Sequence, residues 1–176
     1  MTWKSFHSRG AILRDVITVS NERRDGLLPM DVTGVAETFD DELALLGALQ
    51  LRWHTRLSGR IERELMRQPM DLEDAVVAAW QATADELPGV LAILDRHRAE
   101  PTDAAMAAAM ATSSAKERIM LAMMAGRASA TDAAAERVGA AIESHARATY
   151  RPVHVPTPRR AEQPGLLQRL RSALVA

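Results

Sequence analysis

The chain has 176 residues, of which 47% are hydrophobic and 26% charged, with a formal net charge of −1 at pH 7. That length and balance allow one domain with its own core and exclude a chain disordered throughout. The absence of cysteine excludes disulfides, thiol nucleophiles and cysteine-ligated zinc or iron–sulfur centres.

Only 3% of the residues are aromatic, so Leu, Ile, Val, Met and abundant Ala must fill the core. Those residues suit closely packed helices better than sheets. The near-neutral total hides an asymmetry. Beyond residue 150 the chain carries Arg151, Arg159, Arg160, Arg169 and Arg171 against Glu162 alone, which leaves residues 1–150 net acidic. A basic tail on an acidic body suits an anionic partner or the body itself. No run of 18 apolar residues exists, and Arg9, Arg14 and Asp15 interrupt the N-terminal stretch, so the chain reads as cytoplasmic with no transmembrane segment.

In chain order, Phe6, Gly10, Leu13, Val16 and Ile17 recur at helical spacing and predict a first helix over 3–24, ended by Asp25 and Gly26. The stretch 27–35, with Pro29 and Gly34, reads as an ordered connector whose apolar residues pack. A long central helix over 40–67 follows, started by Asp40 and Asp41 and stopped by Pro69. Its first half has Leu43, Leu45, Leu46, Leu49 and Leu51 all around the axis, which predicts a buried end. Its second half keeps Trp53, Leu57, Ile61 and Leu65 on one face.

Asp71 begins the next helix, with Val76, Val77, Trp80 and Leu87 as its stripe, and Pro88 sits in the first turn of a helix reaching Arg98. Residues 102–127 read as one helix with a kink, Met106, Met110, Met120 and Met124 sharing a face with Ser113 and Glu117. A break near Thr112 is the alternative, because Ser114 and Glu117 have capping-box spacing. Residues 129–131 suggest the cap of a last body helix, with Ala134, Val138, Ala141, Ile142 and His145 inward. The expected fold class is therefore all-α, a single bundle of five or six helices over residues 1–150.

Pro152, Pro156, Pro158 and Pro164 make 151–165 an extended proline-rich linker. After it, 166–176 is a short basic amphipathic helix candidate, with Leu166, Leu167, Leu170 and Leu174 on one side and Arg169 and Arg171 off it. Eleven residues are marginal as an isolated helix, so this segment needs a surface to dock on.

Candidate chemistry centres on the histidines. His54, His97 and His145 fall near apolar stripes. On the central helix Gln50, His54 and Ser58 follow one another at i+4, a candidate ligand-binding group. No HxxxH, HExxH or ExxH pair exists to fix two ligands on one helix, so no metal or cofactor is expected. The methionines read as adaptable packing rather than copper or haem ligands. Arg52, Arg56, Arg60, Arg63 and Arg67 form a stripe that could follow phosphates, yet Glu62 and Glu64 interrupt it and disfavour nucleic acid. With no nucleotide-binding or hydrolase motif, the expectation leans away from an enzyme. It favours a helical interaction or assembly protein that self-associates, its tail docking on a partner or sister chain. The alternative is a small-molecule binder or enzyme at Gln50, His54 and Ser58, and the third reading is a nucleic-acid binder.

Overall fold

Helix α3 (Glu42–Leu65) is the longest described helix and packs against four of the others. The computed structural model describes residues 3–67 and 69–152, with side chains from residue 9 onward. Asp41 caps α3 by accepting from the Ala44 amide at 2.7 Å, as the sequence predicts for an acidic start. At 1.5 Å per residue α3 is about 36 Å long. Its inward face presents Leu45, Leu46, Leu49, Gln50, Trp53, Leu57 and Ile61.

Seven helices pack together among the described residues, and no strand occurs there. Besides α3 they are α1 (Trp3–Arg23), α2 (Val35–Thr38), α4 (Leu72–Glu86), α5 (Pro88–Ala99), α6 (Ala104–Met124) and α7 (Ala133–Thr149). The all-α bundle is as expected. The extra element is α2, a single turn at the end of the connector that brings Val35 and Phe39 into the core.

Two glycines set how closely the helices approach. A Cβ on Gly89 would lie 1.9 Å from the Ser20 carbonyl oxygen, and one on Gly139 would lie 1.8 Å from that of Arg118. Thus α5 meets α1, and α7 meets α6, backbone against side-chain-free backbone. Asn21 fixes the first junction, accepting from the Gly89 amide at 2.9 Å and donating to the Glu86 carbonyl at 3.2 Å. In the core Trp53 meets Trp80 edge-on at 5.9 Å, and Trp80 meets Tyr150 edge-on at 6.2 Å.

The single helix preferred for 102–127 is present as α6, which runs unbroken through Ser114, buried in mid-helix and capping nothing. Two local expectations change. The cap of α7 is Asp132, accepting from the Ala134 and Ala135 amides at 2.9 Å, not a residue of 129–131. The inward face of α7 is Ala135, Gly139, Ile142, Glu143 and Ala146, while Ala134, Ala141 and His145 are exposed. The hydrophobic stripe misplaced the face because its central residue, Glu143, is a carboxylate neutralised by neighbours. Of the expected tail, Arg151 and Pro152 are described and non-helical; the rest of 151–165, and the whole of 166–176, lie outside the described residues.

Candidate functional site

Helix α3 has a second stripe that the described elements cover only in part. Ala44, Gly47, Ala48 and Leu51 recur at the 3–4 spacing of one helix face, and with Arg9, Gly10 and Leu13 of α1 they line a groove of about 500 Å³. Arg52 and Thr55 extend its wall. Leu51, expected inside a fully buried end, is 66% exposed. The leucines around the first half of α3 therefore do not mark a helix buried on all sides. One face remains open because α1 does not close over Gly10 and Gly47.

The glycines of this groove differ from those of the core. A Cβ on Gly47 would meet nothing within 4 Å, and one on Gly10 would meet only the tip of Arg14 at 3.9 Å. Glycine costs about 1 kcal/mol relative to alanine inside a helix. At Gly89 and Gly139 close packing explains that cost; at Gly10 and Gly47 nothing in the described fold does. Gly59 is equally open but lies outside the groove.

On the neighbouring seam, between α3 and α6, the structure brings two of the three predicted polar residues together. Gln50 is buried, its amide nitrogen 3.5 Å from Glu117 and its carbonyl oxygen without a partner. His54, half-buried, lines a groove of about 420 Å³ with Lys116, Ile119, Met120, Met123, Met124 and Thr131. It also lines a smaller groove of about 230 Å³ with Gly47, Gln50, Leu51, Ser113 and Lys116. Ser58 lines neither and instead faces Glu62 at 3.4 Å. Each i+4 step turns about 40° around the axis, so two steps carry Ser58 off the face that Gln50 occupies.

Behind Gln50 lies a buried carboxylate that sequence reasoning did not mark as a site. Glu117 is 3% exposed and accepts from the Trp53 indole N–H at 3.0 Å. Burial pushes its carboxyl above the ordinary value. The Trp53 hydrogen bond and the charges of Arg98 and Arg147 act the other way without overcoming burial. Its place on the methionine face of α6 was the available signal.

Glu143, 6% exposed, receives Arg118 and Arg147 at 3.0 Å and Arg98 at 3.1 Å. Burial raises its carboxyl, but these guanidiniums prevail and hold it below the usual range. Arg147 also binds Asp95 through two contacts of 2.8 Å and covers the Trp80 ring at 4.9 Å. This ion network joins α5, α6 and α7 and fixes their mutual register.

The remaining candidates disperse. His97 is buried with Nδ1 2.8 Å from the Ile93 carbonyl, a satisfied core histidine, and His145 is exposed. No group of three His, Asp or Glu able to hold a metal occurs among the described residues. Arg56 and Arg60 both bind Glu86, the former at 2.7 Å, and Arg67 pairs with Glu64 at 2.9 Å, so the arginine stripe is interrupted by its own counter-charges. No described helix is long and apolar enough to cross a membrane. The tail candidates Leu166, Leu167, Leu170, Leu174, Arg169 and Arg171 lie outside the described residues. Compared with protein-family models, with curated proteins and with solved structures, the chain matches none of them.

Proposed function

We propose that the protein is a non-enzymatic helical interaction protein that self-associates, the segment 166–176 of one chain docking into the α1–α3 groove of a sister chain. The observation that carries this reading is the groove along Ala44, Gly47, Ala48 and Leu51, with Gly47 and Leu51 exposed and Gly10 lining it from α1. Small residues at helical spacing let a second helix approach closely, and Leu13 and Leu51 offer flanking apolar contact.

The occupant follows from reach and pattern. The described chain ends at Pro152, beside Arg24 at the C-terminal end of α1. From there 153–165 can span about 40 Å if extended as polyproline II, enough to reach a groove on a neighbouring copy. Leu166, Leu167, Leu170 and Leu174 would face the groove, and Arg169 and Arg171 would meet the exposed Asp40, Asp41 and Glu42 at the start of α3.

Light scattering coupled to chromatography tests this on the full chain, on a chain ending at Pro152 and on Gly47→Leu. The full chain should be oligomeric. Truncation and the groove-filling Gly47→Leu should each give monomers, the latter without loss of thermal stability. If both altered chains keep the mass of the full chain, or if the full chain is itself a monomer, self-association through this groove is wrong.

A further inference from the structure

The seam between α3 and α6 carries polar groups that the fold does not use. His54 and Lys116 stand on facing helices, and both line the groove that passes Gln50 and Leu51 and the groove that passes Ile119, Met120, Met123 and Met124. The two grooves therefore meet at this pair. Neither side chain has a hydrogen-bond or ion-pair partner among the described residues. The arginines at the other seams differ, since Arg56, Arg60, Arg98, Arg118 and Arg147 each hold a carboxylate.

The chemistry of the walls narrows what can lie there. Away from His54 and Lys116 the larger groove is mainly aliphatic and thioether, with Met123 42% exposed and Met120 and Met124 half-buried. Unbranched methionine side chains adapt to a slender flexible chain better than branched ones do. At the junction an ammonium and an imidazole both present N–H donors. Glu117, the nearby carboxylate of α6, is turned inward onto Trp53 and leaves the rim without an anion of its own.

We infer that this seam is a binding site for a small amphipathic acid, an unbranched aliphatic carboxylate. Its head lies between Lys116 and His54, and its chain lies along Met120, Met123 and Met124. A carboxylate takes two donors at once, and the charge-assisted contact to Lys116 is the stronger of the two. A cationic or uncharged head leaves the Lys116 ammonium unpaired. The aliphatic part of this site, along Met120, Met123 and Met124, shares no lining residue with the α1–α3 groove, which borders only the smaller groove, at Gly47 and Leu51.

The test uses the full chain with sodium octanoate, and with octan-1-ol as the same chain bearing a neutral head. Binding is followed by calorimetry and by the methionine methyl resonances. Octanoate should bind saturably and move the methyls of Met120, Met123 and Met124, with octan-1-ol at least about tenfold weaker, as expected for loss of one charged hydrogen bond. Lys116→Met should lower octanoate affinity about tenfold while leaving octan-1-ol unchanged, and Lys116→Arg should retain octanoate binding. Lys116 is exposed, so these variants keep the fold. The inference is overturned if octanoate does not saturate, if acid and alcohol bind equally, if Lys116→Met has no effect, or if the responding methyls are those of Met66 and Met70.

Discussion

Trp53 and Glu117 meet in the core at 3.0 Å, an indole N–H on α3 donating to a carboxylate on α6 that has no salt-bridge partner among the described residues. The contact closes the α3–α6 seam, but with a group whose ionised form the surroundings disfavour.

Replacing Glu117 by Gln should therefore stabilise the protein at pH 7. The amide retains an acceptor for Trp53 and removes the buried charge, with a gain of about 1 kcal/mol or more. Because the carboxyl is raised in the folded state, the wild type gains stability relative to Glu117→Gln as pH falls through that raised value. Paired denaturant titrations between pH 4 and 8 check this. Equal stability of the two proteins at every pH would mean that burial is not acting on Glu117.

Glu143 carries the opposite sign. Its folded value is lowered, so the stability it contributes is present above the ordinary carboxylate value and is lost as pH falls through the lowered one. Glu143→Leu should cost about 3 kcal/mol or more at neutral pH, since Arg98, Arg118 and Arg147 would face one another without their shared anion. Chemical unfolding at pH 7 measures the cost, and a loss below 1 kcal/mol would mean that the network adds little.

The glycines divide into two groups with opposite expectations. Gly89→Ala and Gly139→Ala place a methyl inside the backbone of a neighbouring helix and should destabilise strongly, by about 3 kcal/mol or more. Gly10→Ala and Gly47→Ala meet open space and should each stabilise by up to about 1 kcal/mol. Thermal melts of the four variants separate the groups. A destabilising Gly47→Ala would show that the groove is closed in solution.

Tyr150 is the chain's sole tyrosine, so its ionisation can be read directly by ultraviolet absorbance. Burial raises its phenol, and the 2.8 Å hydrogen bond to Asp85 and that residue's charge raise it further, to about 12. The phenol of an unfolded chain ionises near 10. The stability that this contact supplies is thus fully present below about pH 10 and is lost as pH rises toward 12. Tyr150→Phe should abolish the absorbance change, and a wild-type midpoint near 10 would contradict the contact.

Much of the bundle was legible because helix starts are written locally. Asp41 and Asp71 each precede an apolar-periodic run, and each accepts from the first-turn amides it was expected to cap. What stayed hidden depends on which helix lies opposite. Leu51 reads as core by residue type, yet it borders a groove that α1 leaves open beside Gly10 and Gly47. Glu143 is absent from the predicted inward face of its helix, yet it is buried, with arginines from three helices converging on it. The candidate group on α3 was half legible: Gln50 and His54 share a seam, while Ser58 has turned away. Glu117 could be placed on the methionine face, but its burial depends on Trp53, which is 64 residues distant in sequence.

The row of rings from Trp53 through Trp80 to Tyr150 links α3, α4 and the end of α7 by two edge contacts of about 6 Å. Energy transfer from Tyr150 to Trp80 is therefore strongest while the last helix is seated, and the mutual coupling of the two indoles in the near-ultraviolet circular dichroism requires α3 and α4 to be docked. The molecule thus carries its own optical gauge of assembly, so that detachment of α7 can be distinguished from separation of α3 and α4 without adding a probe.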